Sequence, residues 1–249
     1  MTTQMHLATQ YLAAAGICFV DKKEDDSHTN LGFSVQKGTL YSRALDKKGT
    51  VLSLSYDTFS LEWNDSSSSS VLQLDGTTHA AVVEWINKMA ASSHIATPYS
   101  YDLHYELPYQ MKEDDVFKLE DLAALQKLKE NRSLAQTVLE EFLDSNKLHS
   151  EIRIWPHHFD TGAFAPLKDS PDVSVGLGLA IPDSLSDQYY FYISGYKNGS
   201  PIAVTDLSEL SLGAWKSEGF VGAVLPISGV NKDKGIHFFE EVINKLMTK

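Results

Sequence analysis

Histidine and carboxylate residues recur at a spacing of two in two separate stretches of the sequence. "DLHYEL" places His104 and Glu106 two positions apart, and "WPHHFD" does the same for His158 and Asp160. In a β-strand, residues i and i+2 project to the same side, so each stretch is predicted to present one imidazole beside one carboxylate. The sequence therefore predicts a polar site built from two neighbouring strands.

These four side chains have the chemistry of a metal site. Imidazole and carboxylate ligands bind a metal ion at about 2.0–2.2 Å, and a catalytic centre needs three protein ligands and one open position. His104, Glu106, His158 and Asp160 would suffice for Zn²⁺, Fe²⁺ or Mn²⁺, because nitrogen and oxygen ligands do not by themselves select among these ions.

Two other uses of the same residues stay open. A histidine could act as a general base near neutral pH while a carboxylate fixes its tautomer. Alternatively, the pairs could be structural, each histidine donating to a carboxylate across strands. His28 in "DDSHTN", next to Asp25 and Asp26, is a further candidate, although a solvated loop is the favoured interpretation there.

Aromatic residues near these pairs are candidate ligand contacts. Tyr190, Tyr192 and Tyr196 share one side of the predicted strand "QYYFYISGY", where each phenol offers apolar contact and one hydrogen-bonding group. A tyrosine ladder that only supports the sheet is the alternative. Trp155 and His157 flank the second pair, and strand alternation turns His157 away from His158.

The strand "VSVGLGLAI" carries small residues on one face and aliphatic residues on the other. Its G-x-G element resembles part of a dinucleotide-binding loop, but Pro182 follows where the phosphate-binding helix should begin. A face without side chains allows a close approach by another segment or a ligand, and packing is the favoured reason for it.

Composition limits the classes of partner. The formal charge is −12, from 21 Lys and Arg against 33 Asp and Glu, so we expect no nucleic acid and no anionic membrane surface as a partner. The apolar stretch near the N-terminus lacks the basic residues of a secretory leader, and no segment approaches the roughly 20 apolar residues of a membrane helix. The sequence predicts a cytoplasmic protein for which a small molecule is a possible partner, and it leaves the oligomeric state undetermined.

The periodicity of apolar residues predicts an α+β fold. An N-terminal helix, a C-terminal helix and a central helical pair over 119–145 accompany runs of alternating residues typical of antiparallel strands. The chain is predicted to be a single compact unit of 1–249, with two packed sheet-rich halves, 1–118 and 147–249, as a further possibility. The helices over 119–145 would bridge these halves.

The string "WPHHFD", followed by the glycine-rich strand and "YYFYISGY", resembles a mostly bacterial protein family of unknown function that shares the same string. The resemblance implies a bacterial soluble protein and marks Trp155 to Asp160 as the core motif, without implying a reaction, ligand or cofactor. Three hypotheses follow from the residues. The first is a metal-dependent or acid–base small-molecule enzyme. The second is a non-catalytic binding module, for small molecules or proteins, whose His and Asp residues are structural. The third is a structural or interaction protein without a pocket.

Overall fold

The computed structural model describes residues 1–109, 111–168 and 170–248. In this part of the chain four helices accompany two antiparallel sheets, which confirms the predicted α+β class with its N-terminal and C-terminal helices. None of these helices is long and apolar enough to cross a membrane.

The helices and strands have the following bounds. The helices are α1 (Thr2–Phe19), α2 (His79–Ser92), α3 (Leu122–Ser145) and α4 (Lys232–Leu246). The first sheet contains β1 (Gly32–Ser34), β2 (Thr39–Tyr41), β3 (Val51–Ser55), β4 (Ser60–Asn64) and β5 (Ser69–Gln73). The second contains β6 (Arg153–Trp155), β7 (Asp160–Leu167), β8 (Ser170–Ala180), β9 (Tyr190–Lys197), β10 (Ser200–Pro201), β11 (Ala214–Lys216) and β12 (Gly222–Pro226).

The chain divides into two compact units. Unit 1 comprises Met1–Glu130 and Ile154–Phe159, and unit 2 comprises Asn131–Arg153 and the described residues from Asp160 onward. These bounds differ from the halves predicted at 1–118 and 147–249, since the division falls inside α3 and again inside "WPHHFD". His158 and Asp160 consequently belong to different units.

Unit 1 is an antiparallel meander with strand order β1-β2-β3-β4-β5, and α1 packs against β3. Every residue of α1 from Met5 to Gly16 is buried, including the polar His6, Thr9 and Gln10. Buried polar groups need hydrogen-bond partners, so these three side chains of α1 are expected to form hydrogen bonds inside unit 1.

Unit 2 is built on a sheet of order β11-β12-β9-β8-β7, with β10 paired to β9. One sheet face is apolar because alternate residues of β7, β8 and β9 are aliphatic or aromatic. This face packs with residues of α3 and α4, where the Phe239 ring lies 5.4 Å from that of Phe142 and 5.3 Å from that of Phe191. The opposite face carries the glycines and tyrosines discussed below.

One detail of the predicted helices is wrong: 122–145 is a single helix and not a pair. Asn131 and Arg132 interrupt the apolar pattern of α3, but the helix continues through them. Both side chains are buried, at 7% and 5% exposed. Arg132 Nη1 donates to Thr161 Oγ1 at 2.6 Å. Polar residues inside a helix therefore mark a buried polar contact here and not a helix end.

Candidate functional site

The side chain of Gln10, at the centre of α1, joins two distant segments of unit 1. It is fully buried, and its Nε2 donates to the carbonyls of His6 and Pro156, each at 2.9 Å. Its Oε1 accepts from Tyr105 Oη at 2.6 Å. Because both ends of the amide are bonded, Gln10 fixes the position of the Pro156 turn and of the Tyr105 segment relative to α1.

His6, one helical turn earlier, strengthens both attachments. Its Nε2 lies 2.7 Å from the Pro156 carbonyl, which can only accept, so Nε2 carries the hydrogen. Nδ1 is then the acceptor for the Tyr109 hydroxyl. The Phe159 ring stacks on the imidazole at 4.9 Å with an interplanar angle of 5°. His6 is 1% exposed and has a structural role.

The residues Pro156 to Phe159 form a turn and not the first part of a strand. The amides of His158 and Phe159 both donate to the Trp155 carbonyl, at 3.2 and 2.7 Å, and Phe159 has a φ of 60°. β7 begins only at Asp160. The predicted sharing of one strand face by His158 and Asp160 is therefore wrong, since His158 precedes the strand.

The segment over 101–109 is also not a strand, although its predicted alternation is present. The even-numbered residues, His104 and Glu106 among them, are exposed, while Tyr101, Tyr105 and Tyr109 are partly buried. Pro98 and Pro108 cannot donate a backbone hydrogen bond, which disfavours sheet pairing at both ends of the segment. Tyrosine hydroxyls anchor the segment instead, at Gln10 and His6.

These anchors bring together histidines from different segments. The Tyr105 ring lies 5.2 Å from the His104 ring and 5.5 Å from the His157 ring. The His157 and His158 rings are 4.2 Å apart, so the two adjacent histidines lie together and do not face opposite ways as predicted. His157 is partly buried, and His158 is exposed.

The loop over 21–30 adds a fourth imidazole. His28 is 3% exposed, and its ring stacks with that of His104 at 6.3 Å. Asp26 Oδ2 lies 3.6 Å from His104 Nε2, an ion-pair distance. The loop lies against α1 at Gly16, where an added Cβ would be 2.7 Å from the His28 carbonyl oxygen. We call His28, His104, His157 and His158 the imidazole cluster.

Burial lowers the pKa of two members of the cluster. The pKa of His157 is lowered by burial first, then by His158 and His104. The pKa of His28 is lowered mainly by burial, against an opposing effect of Asp26. Because the ordinary histidine pKa is about 6.5, both imidazoles are mostly neutral at pH 7, the form that can accept a proton.

The predicted four-ligand metal site does not form. Across the residues that the structure describes, no three His, Cys, Asp or Glu side chains are grouped to hold a metal ion. The physical reason is the loss of the strand geometry: His104 and Glu106 lie on an irregular segment, His158 lies in a turn, and the Asp160 carboxylate accepts from Tyr192 Oη at 2.5 Å.

The predicted tyrosine wall belongs to unit 2 and is largely used by the sheet itself. Tyr190 is buried and donates to Asp183 Oδ2 at 2.7 Å, and Tyr192 donates to Asp160. Burial, followed by Asp160, raises the pKa of Tyr192 well above its usual range. The Tyr196 ring lies 5.9 Å from that of Phe164. These contacts favour the supporting role for Tyr190 and Tyr192.

Packing explains the small residues of β8. Gly178 lies between Gly162 and Tyr192 in the sheet register. A Cβ added there would be 2.3 Å from the Thr161 carbonyl oxygen and 2.8 Å from Tyr192 Oη. The phenol of Tyr192 thus crosses the glycine to reach Asp160, and a side chain at 178 would block it.

A serine, a histidine and a glutamate also meet near α4. Ser211 Oγ donates to Glu241 Oε2 at 2.6 Å and lies 3.1 Å from His237 Nε2. The Ser211 amide also donates to the Glu241 carboxylate. A nucleophilic serine must pass its proton to the imidazole, whereas here the carboxylate accepts it. The cluster fastens the loop to α4.

The sequence pattern gives no sign of the residues that position the imidazole cluster. Gln10 and Tyr105 carried no signal, because the Gln10 to Pro156 contact joins positions 146 apart in the chain. His28, by contrast, is a candidate in the sequence because Asp25 and Asp26 lie close before it. Trp155 is partly buried in β6, and its carbonyl organises the turn.

The fold and these contacts define an α+β protein of two antiparallel-sheet units with a histidine cluster on one of them. Comparison with protein-family models, with curated proteins and with solved structures gave no match. The resemblance through "WPHHFD" stays a prediction.

Proposed function

We propose that the protein is a small-molecule enzyme that uses the imidazole cluster for acid–base chemistry. The observation that carries the proposal is the convergence of histidines from three segments, held in place through α1. The buried side chains of His6 and Gln10 hold the segments that carry His104, His157 and His158, which are at least partly open to solvent. A pre-organised site requires side chains that are held in this way.

His157 is the proposed general base. It is partly buried, its pKa is lowered chiefly by burial, and it lies between the Tyr105 ring and the exposed His158. A neutral imidazole can take a proton from water or from a substrate hydroxyl. His104, with Asp26 at ion-pair distance, is the proposed second proton-carrying group.

The substrate class follows from the surroundings of the cluster. The imidazoles and the Asp26 carboxylate offer donors and acceptors and little apolar surface, which suits a small polar molecule. The net charge of −12 supports a substrate other than nucleic acid. The proposal retains the expectation of a cytoplasmic, bacterial enzyme.

Hydrolysis of p-nitrophenyl acetate tests the proposed base without knowledge of the natural substrate. Water attacks the ester carbonyl while His157 takes one of its two protons, and the tetrahedral intermediate expels p-nitrophenolate and leaves acetic acid. The imidazolium of His157 then returns its proton to the solvent. We expect His157→Asn to lower the protein-dependent rate at least about tenfold, and His104→Asn to lower it less. The rate should rise with pH and level off below the usual histidine range of about 6.5, because burial lowers the pKa of His157.

His149→Asn is the matched control, because His149 is an exposed histidine outside the cluster. Thermal unfolding of each variant establishes that it is folded. Equal rates for His157→Asn and His149→Asn would remove His157 as the base.

A further inference from the structure

An open cavity of about 560 Å³ lies in unit 2, at the end of α4 and away from the imidazole cluster in the sequence. It is formed where β8 begins, where β9 and β10 meet, and where α4 ends. Its lining combines apolar, charged and hydroxyl residues: Ser170, Asp172, Val173, Lys197, Asn198, Ser200, Pro201, Ile202, Leu246 and Met247. The volume falls within the range of small-molecule sites, about 300–1,000 Å³.

The sheet side of the cavity is held by backbone hydrogen bonds. Lys197 is paired with Val173 on one side and with Ser200 on the other. The Asn198 amide donates to the Asp172 carbonyl at 2.8 Å, and the Ile202 amide donates to the Gly195 carbonyl at 2.9 Å. The lining is therefore organised before a ligand arrives, which lowers the entropic cost of binding.

One wall of the cavity is apolar. Leu246 is 2% exposed and belongs to the core of unit 2, as does Val173. Met247, the residue that caps α4, is 42% exposed, although it is a large apolar side chain. Ile202 extends the same wall. A ligand with an apolar group would cover this surface and gain the free energy of removing it from water.

The charged residues of the lining have opposite signs. Asp172 and Lys197 both contribute to the cavity, and neither takes part in an ion pair within the described chain. Lys197 is directly paired with Val173, and paired residues project to the same sheet face, so its stem lies on the face that α4 covers. The carbonyl end of α4 adds a partial negative charge, which favours a cation.

We propose that this cavity binds a large apolar α-amino acid. The ligand's carboxylate pairs with Lys197, its ammonium group lies towards Asp172 and the end of α4, and its side chain covers Leu246, Met247 and Ile202. A zwitterion with an apolar group matches both charges and the apolar wall, whereas a fatty acid leaves Asp172 unmatched and an amine leaves Lys197 unmatched.

Calorimetric titration of the whole protein with L-phenylalanine tests this site. We expect binding in the range of about 0.1–1 mM, and an increase in the thermal unfolding temperature at saturating ligand. N-acetylphenylalanine lacks the ammonium charge and phenylalaninamide lacks the carboxylate, so each should bind at least tenfold more weakly, by about 1.4 kcal/mol.

Two variants assign the charges. Lys197→Met keeps the stem of the side chain, and Asp172→Asn keeps its shape; each should weaken phenylalanine binding about tenfold. Lys216→Met is the matched control, because Lys216 lies on β11 of the same sheet and does not line the cavity. No heat or thermal shift at about 10 mM ligand, equal binding of the N-acetyl derivative, or unchanged binding by Lys197→Met would overturn the proposal. These outcomes do not depend on His157 or on ester hydrolysis.

Discussion

The two units use buried polar residues for different purposes. In unit 1, the polar side-chain atoms of Gln10 and His6 are hydrogen-bonded. They hold the two segments that carry His104, His157 and His158, which stay at least partly open to solvent. In unit 2, Tyr192 and Asp160 bond to one another at the sheet itself. The first arrangement leaves reactive groups available, and the second uses them to stabilise the sheet.

The contrast shows why residue type alone does not locate a site. Both units contain a carboxylate near an aromatic hydroxyl or an imidazole. Asp160 is 8% exposed and accepts a hydrogen bond from a phenol, whereas the Asp26 side chain is 50% exposed beside His104. Exposure and prior bonding decide which carboxylate can take part in chemistry.

The largest expected effect concerns the sheet of unit 2. Gly178→Ala should destabilise the protein by about 3 kcal/mol, because the new methyl group would meet a backbone oxygen that cannot move away cheaply. Gly176→Ala is the matched control on the same face of β8. Its Cβ would lie 3.4 Å from Phe164 Cδ2, an ordinary contact, so its effect should stay within about 0.5 kcal/mol.

Urea unfolding followed by tryptophan fluorescence measures both variants. Similar midpoints for Gly176→Ala and Gly178→Ala would show that the small residues of β8 are not required by the path of Tyr192. That outcome would reopen the alternative that this face awaits a ligand.

A pair of buried glutamines compares the two units directly. Gln10→Met should cost about 2 kcal/mol, since it leaves the Tyr105 hydroxyl without its acceptor and removes a donor from the Pro156 carbonyl. Gln136→Met in unit 2 should change stability by less than about 0.5 kcal/mol. It removes the hydrogen bond from Gln136 Nε2 to Glu140 Oε1, at 2.8 Å, but it also removes Oε1, which is buried without a hydrogen-bond partner in the described structure.

Urea unfolding measures the stability of both glutamine variants, and hydrolysis of p-nitrophenyl acetate is the second measurement. Gln10→Met should also lower the rate of hydrolysis, because it releases the segment that carries His104. Equal losses of stability for the two glutamines would contradict the distinction drawn between the units.

Regular elements were the part of the fold that the sequence could predict. The apolar stripe of α4, the alternation of β8 and β9 and the alternating exposure of 101–109 all depend on local periodicity, which a single sequence displays. Arg132 misled the helix prediction because its partner, Thr161, is 29 residues away.

The site was harder to predict, because its geometry depends on turns and on distant contacts. A non-glycine residue with positive φ, such as Phe159, has no signature in a pattern of apolar and polar residues. That one residue ends the turn and separates His158 from the strand of Asp160. Strand periodicity therefore predicted the wrong grouping of these polar residues.

The smallest expected effect is a dependence of stability on pH that belongs to unit 1. Burial lowers the pKa of His28 in the folded protein below its value of about 6.5 in the unfolded chain. As the pH falls through 6.5, the unfolded chain binds the proton first, so the free energy of unfolding decreases until the folded-state pKa is reached. Above 6.5 this penalty is absent.

His28→Asn should therefore reduce the loss of stability between pH 8 and pH 5. Asparagine Oδ1 can replace Nδ1 as the acceptor for the Lys23 amide, so the loop keeps that contact. Gln136→Met removes no ionisable group and serves as the control, whose pH profile should follow that of the unaltered protein. A profile for His28→Asn that is parallel to the control would show that His28 titrates alike in the folded and unfolded chain. Burial of the cluster would then have no effect on the protonation of His28, and the electrostatic difference between the two units would not extend to this histidine.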